Sequence, residues 1–223
     1  MKKSVFVLSL FLVFCFAQAS NHDFDYILMN LNWPGSQTNT FSSSIDHFTL
    51  HGLWPNYNSG SWPQYCTSEK FDKSDVDQDL METWWTDVWS PSKEWSFWGH
   101  EWERHGTCLA EYDPVTKTQK GFFELGITLV SNLDFVGWLQ EAGIKPSKTT
   151  SYKPADMLAA IKSHTEQDVF LGCGKIDGVE QVETIVLCFS KGEHEVMKCP
   201  DSAYSSWGKK CNYDNVYLYP INH

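Results

Sequence analysis

VFLGCGKI (Val169–Ile176) and VETIVLCF (Val182–Phe189) are two runs of β-branched and apolar residues split by a short polar stretch. Their composition and bounding residues predict a pair of strands. Glu195–Cys199 and Val216–Tyr219 repeat the pattern in shorter form. Moving outward toward the N-terminus, the character changes. Pro154–His164 has proline in its first turn and carries Met157, Leu158 and Ile161 on one side, which predicts a helix. Gly121–Leu133 and Asp134–Glu141 read as two more, and Asp75–Trp89 as another, with Leu80, Trp84, Trp85 and Val88 at helical offsets. Ser92 begins a further helix in which Trp95, Trp98 and Trp102 recur at three and four residues, with Gly106 as its stop. Near the beginning of the chain, Phe24–Trp33 alternates loosely and runs into a turn at Pro34-Gly35. His47–Leu53 reads as a second strand, stopped by Pro55. Helices and strands mixed without a βαβ rhythm predict an α+β fold, a central antiparallel β-sheet flanked by several α-helices.

Residues 1–19 have the layout of a secretory signal peptide. Lys2 and Lys3 form the basic start, Val5–Phe16 the apolar run, and Ala17-Gln18-Ala19 the small-residue cleavage site. The apolar run is too short to span a bilayer comfortably, since about 20 residues are needed. No later stretch reads as a membrane helix, so the expected product is a single domain over residues 20–223, secreted or delivered to a lysosome or vacuole. Cys15 departs with the leader, leaving Cys66, Cys108, Cys173, Cys188, Cys199 and Cys211. An even number in an oxidising compartment predicts three disulfides, without fixing which of the many pairings forms. Zinc is the competing use, but no C-x2-C pair exists. No N-x-S/T sequon is present, so N-glycosylation is not expected.

The formal charge is −11, and it becomes −13 once Lys2 and Lys3 leave. Such acidity argues against tight nonspecific nucleic-acid binding, which depends on neutralising phosphates with basic groups. It leaves room for an enzyme that holds a few nucleotides briefly, above all in an acidic compartment where histidines are charged. The 11 tryptophans say little by themselves, because Trp is above all a supplier of buried area.

Two segments carry chemistry, HGLWP (His51–Pro55) and WGHEWERHGTC (Trp98–Cys108). On a regular helix at about 100° per residue, His100, Glu101, Arg104 and His105 fall within one stripe about 140° wide. Glu101 and His105 are then neighbours, as are His100 and Arg104. Two imidazoles, a carboxylate able to orient one of them and a permanent cation suit acid–base work at an anionic phosphate centre. A zinc-hydrolase H-E-x-x-H site is disfavoured. Position 104 is arginine, and His105 stands five residues on and rotated away from His100. A lone histidine is most often structural, and His22, His47, His164, His194 and His223 are read that way.

Both segments resemble the signature boxes of the ribonuclease T2 family, secretory acid ribonucleases. The first is unchanged, and the second has Arg104 where the family usually has lysine. The resemblance extends to Asn32-Trp33-Pro34-Gly35, similar to an early Q-W-P-G turn, and to the C-terminal cysteine layout. It implies the pairs Cys66–Cys108, Cys173–Cys211 and Cys188–Cys199. It implies His105 as general base, His51 as general acid, His100 as a phosphate binder, and Glu101 and Arg104 as stabilisers of the transition state. No metal or cofactor is implied. The implied activity is low-specificity cleavage of single-stranded RNA through a 2′,3′-cyclic phosphate. DNA, lacking the 2′-OH nucleophile, is not cut. Trp54 matches a base-stacking residue, with Asn56, Tyr57 and Asn32 as further base contacts. A catalytically silent storage or binding relative is the alternative, and both box histidines speak against it. A monomer without membrane attachment is the default expectation.

Overall fold

Tyr26–Asn32 forms β1, and the sheet is built around it. In the computed structural model, which describes residues 23–206 and 210–223, β1 pairs antiparallel with β2 (Thr49–Asn56) on one side and β5 (Val179–Ser190) on the other. All seven β1 residues are buried, as a central strand covered on both faces requires. β5 also pairs antiparallel with β4 (Phe170–Ile176) and with the short β6 (Val196–Met197). Two more short strands, β3 (Ser151–Tyr152) and β7 (Val216–Tyr217), complete the sheet. Among the described residues every pairing is antiparallel except one parallel bridge between β5 and β7. The tight β4–β5 hairpin turns on Asp177 and Gly178, both at positive φ (49° and 85°), the conformation that Asp-Gly supplies at low cost.

Among the described residues seven α-helices accompany the sheet: α1 (Gln78–Trp84), α2 (Glu94–Glu101), α3 (Thr107–Tyr112), α4 (Gln119–Ser131), α5 (Phe135–Glu141), α6 (Pro154–Thr165) and α7 (Asp201–Ser206). The α+β expectation holds. The main core gathers Ile27, Met29 and Leu31 of β1 with Trp85, Trp98, Trp102, Phe122 and Phe123 from the helical side. Tyr26 and Leu28 point the other way, into a smaller cluster with Phe170, Val186 and the Cys188–Cys199 bridge. Disulfides join Cys66 to Cys108, Cys173 to Cys211 and Cys188 to Cys199, the pairing that the resemblance implied.

Three of the boundaries that differ from expectation have a clear local reason. β2 runs through Pro55 to Asn56 because it is an edge strand, where a missing N–H costs no ladder bond. The helix expected over Asp75–Trp89 is only α1. Asp77 caps it by accepting from Leu80 N, and past its end Asp87 accepts from Trp89 N and Ser90 N, drawing the backbone into a turn. Gly106 does not stop the Ser92 helix, which passes through a π-helical turn (Trp102–Gly106) into α3. Glycine is required there because a Cβ would lie 2.4 Å from the Trp102 ring. Finally, residues 119–141 are long and apolar enough to match a membrane span, contrary to the sequence reading. The chain breaks between α4 and α5, Asp134 caps α5 through Gly137 N, and Phe122, Phe123, Leu125, Phe135 and Leu139 turn into the core. The signal-peptide reading of residues 1–19, with Cys15, lies outside the described residues.

Candidate active site

His51 is the extra residue of a β-bulge. Leu31 pairs with Leu50 and Asn30 with Gly52, so the β1 ladder skips it. In a regular strand His51 would share a face with Leu53, which is fully buried in the main core. The bulge lets Leu50 and Leu53 both point into that core while His51 turns to the cavity beside Trp54. Trp85 Nε1 donates to the His51 carbonyl at 2.6 Å and holds the bulge. The His51 ring stands edge-on to Trp54, Trp89 and Phe97, with centroids 5.3, 5.3 and 5.4 Å away.

The second half of the site rests on the π-helical turn. A regular helix would rotate His105 well away from His100; the wider turn brings residues five apart onto one side. Their ring centroids are 6.3 Å apart. The turn is pinned from outside, since Tyr65 N donates to Arg104 O (3.0 Å), Cys66 N to Thr107 Oγ1 (3.2 Å), and Cys66 is bonded to Cys108.

Together these elements line a cavity of about 320 Å³ with Leu28, His51, Trp54, Asn56, Trp62, His100, Glu101, Arg104 and His105. All five residues read as catalytic therefore converge. Glu101 is 1% exposed, and its contacts extend beyond the helical-wheel reading. Its Oε2 accepts from Trp54 Nε1 at 2.9 Å and its Oε1 lies 3.7 Å from His51 Nε2, so it positions Trp54 and His51 as well as lying beside His105. The Trp54 ring in turn lies tilted over His105, with centroids 5.3 Å apart. Gly52 makes this network possible. A Cβ there would fall 2.1 Å from Glu101 Oε2 and 2.3 Å from Trp54 Nε1. Gly52→Ala is expected to break the Trp54–Glu101 bond, lower kcat/KM at least tenfold and cost about 1–3 kcal/mol in a denaturant titration.

Burial sets the proton affinities. It pushes the Glu101 carboxyl up to about 8, against the Trp54 hydrogen bond and the Arg104 charge, which pull it down. His105, 6% exposed, is held well below the usual histidine value, first by burial and then by the charges of Arg104, His100 and His51. His100 is lowered by burial and by Arg104, whose Nη1 donates to His100 Nε2 at 3.5 Å. The result is a neutral imidazole at His105 beside a fixed cation.

The base-contact expectations divide. Trp54 and Asn56 line the cavity, and Asn56 Nδ2 donates to Trp54 O at 2.9 Å. Tyr57 does not. It packs against the main core, and the turn at Gly60 (φ 87°) brings Trp62 round to the cavity instead, 43% exposed. Nothing in local sequence separates Trp62 from the other tryptophans. Asn32 lies on the Leu28 side of β1 by strand alternation but is buried and does not line the cavity. Leu28 itself follows from that alternation.

A sequence model of the Ribonuclease T2 family matches residues 24–199. The chain belongs to that family. Among ribonuclease T2 relatives, Ribonuclease 3 of Arabidopsis thaliana is 33% identical over 90% of this chain and 93% of its own length. Two Solanum lycopersicum proteins, intracellular ribonuclease LX and extracellular ribonuclease LE, are each 30% identical over 88% of this chain, covering 84% and 90% of their own lengths. The solved structure of RNase NT in complex with 5′-AMP superposes with a TM-score of 0.75 at 26% identity, covering 89% of this chain and 99% of that one. Human RNase T2 gives 0.73 at 28% identity, covering 90% and 100%.

In this ribonuclease T2 family member the spacing argument against a metal is weaker than the sequence suggested. The π-turn brings donor atoms of His100, Glu101 and His105 within 4.8 Å of one another. The surrounding charge still opposes a cation, because the Arg104 guanidinium occupies His100 Nε2 and the Glu101 carboxyl is held toward its protonated form.

Proposed function

We propose that the protein is an endoribonuclease that cleaves single-stranded RNA by metal-independent transphosphorylation. The observation that carries this reading is the pair of imidazoles in one cavity, His105 buried and neutral and His51 across from it, with Arg104 and His100 on the same wall. His105 takes the proton of a ribose 2′-OH, the 2′-oxygen bonds to phosphorus, the bond to the 5′-oxygen breaks, and protonated His51 supplies that oxygen's proton. The products are a 2′,3′-cyclic phosphate and a 5′-hydroxyl; slower hydrolysis of the cyclic ester follows. His100 and Arg104 meet the phosphoryl charge, and a protonated Glu101 donates a hydrogen bond to it. The Trp54 and Trp62 faces stack on a base without demanding its identity, with Asn56 at the rim, which favours low base specificity. The family relationship and the nucleotide complex of RNase NT support an RNA substrate. The leader-like layout of residues 1–19, with relatives named both extracellular and intracellular, supports entry into the secretory route followed by export or retention in a lysosome or vacuole.

The test is digestion of single-stranded RNA by purified mature protein at pH 4–8 with excess chelator, beside a His51→Ala control. Cyclic-phosphate ends that vanish in the control are the expected outcome. Absence of cleavage by correctly disulfide-bonded protein would return the storage or binding reading.

A further inference from the structure

Beyond His100 the wall of the cavity continues into a second groove on the outer side of α2, lined by Tyr65, Phe71, Trp95, Gly99, His100 and Glu103. His100 faces both spaces, so a strand leaving the catalytic cavity past it enters this groove. Building on the ribonuclease reading, we propose that the groove is an additional base-stacking subsite for the same RNA strand, with Tyr65 as its platform.

Tyr65 is 55% exposed, unusual for so large an apolar face. Its φ is +53°, a region that L-residues other than Asn and Asp rarely occupy. The conformation is held by its N–H bond to the Arg104 carbonyl and by the neighbouring Cys66–Cys108 bridge. The backbone restraints that shape the catalytic π-turn therefore also hold an aromatic ring out in solvent beside it. Strain of this kind persists where surrounding structure enforces it and clusters at ligand sites.

The groove's charges fit a polyanion better than the chain's overall balance suggests. Glu103, the one carboxylate among the described residues that line it, is neutralised by Lys70 at 2.7 Å, and the Lys73 ammonium lies 4.8 Å above the Trp95 ring. Phe71 and Trp95, with centroids 6.3 Å apart, supply the apolar floor. Aromatic faces with cations alongside are the elements that bind single strands without reading sequence.

Two hexanucleotides with a single ribonucleotide, placed second or fifth among deoxyribonucleotides, fix the register of cleavage; a dinucleoside monophosphate fills only the catalytic cavity. Tyr65→Ala is expected to raise KM about tenfold for one hexamer, leaving kcat, Tm and all dinucleotide kinetics unchanged, and Tyr65→Phe is expected to restore the wild-type KM. Equal losses on dinucleotide and hexamer would overturn the subsite and make Tyr65 a support of the π-turn. Unchanged KM on both hexamers would overturn it too. A wild-type protein that cleaves none of the three would overturn the ribonuclease reading and the subsite with it.

Discussion

Replacing His105 with alanine is expected to lower kcat/KM on RNA by about 10²–10⁴-fold and to remove the acid limb of its pH profile. A proton on His105 must enter a site shielded from water and already facing Arg104, His100 and His51, so the neutral imidazole is favoured far into acid. A general base works only while neutral. The acid limb should therefore lie well below pH 6.5, and the protein should stay active where an ordinary histidine would be fully protonated. Sign matters for stability as well. With its folded value depressed, His105 contributes no pH dependence above about pH 6.5. As pH falls below that, the unfolded chain takes up a proton that the folded one refuses, and stability declines. His105→Ala should thus be relatively more acid-resistant than wild type while being far less active. His105→Asn, which keeps most of the volume, separates lost chemistry from a cavity. In the proposed mechanism base and acid act in one step, so His51→Ala combined with His105→Ala should cost little more than either alone. An acid limb surviving in both His105 variants would remove this residue from the role of base.

Much of this was legible in the chain. Residue spacing alone brought His100, Glu101, Arg104 and His105 together, and β-branched runs located β4 and β5 nearly to their ends. What escaped was geometry created by tertiary contacts. The bulge at His51 exists because Leu50 and Leu53 both belong in the core, a demand visible only once β1 is alongside. The π-turn is widened within a segment whose outer side is clamped by Tyr65 and Cys66, more than thirty residues away. Helical-wheel angles placed Glu101 beside His105, where its carboxylate does lie, but could not show its bond to Trp54 or its approach to His51, which come from another strand. Trp62 was unreadable for a different reason: its place depends on a loop with no periodicity, and Tyr57, nearer in sequence to the first box, turns into the core.

The second large effect concerns Glu101 and reverses the usual expectation that altering a buried site residue destabilises. Glu101→Gln is expected to raise Tm at pH 8 by roughly 5–10 °C, to leave it nearly unchanged below pH 4.5, and to slow catalysis throughout. Burial pushes this carboxyl from 4.5 up to about 8. Between those values the folded protein holds a proton that the unfolded chain has released. Stability contributed by the protonated carboxyl is thus complete below about pH 4.5 and is lost as pH rises through the window. Glutamine resembles the protonated acid in shape and never titrates, so the gap between variant and wild type should widen with pH. Its amide oxygen can keep the Trp54 Nε1 bond, and its NH₂ can face His51 and the phosphate. A proton on His51, 3.7 Å away, favours the ionised carboxylate and moderates the effect wherever both groups titrate. Because the amide remains a donor, the loss in kcat should stay below the roughly 10²–10³-fold that follows complete removal of such a group, whereas Glu101→Ala should reach it. Thermal melts at half-unit steps from pH 4 to 8 decide the matter. A Tm difference that stays constant across that range would mean that Glu101 gives up its proton equally readily folded and unfolded, and the neutral-carboxyl role at the phosphate would fall with it.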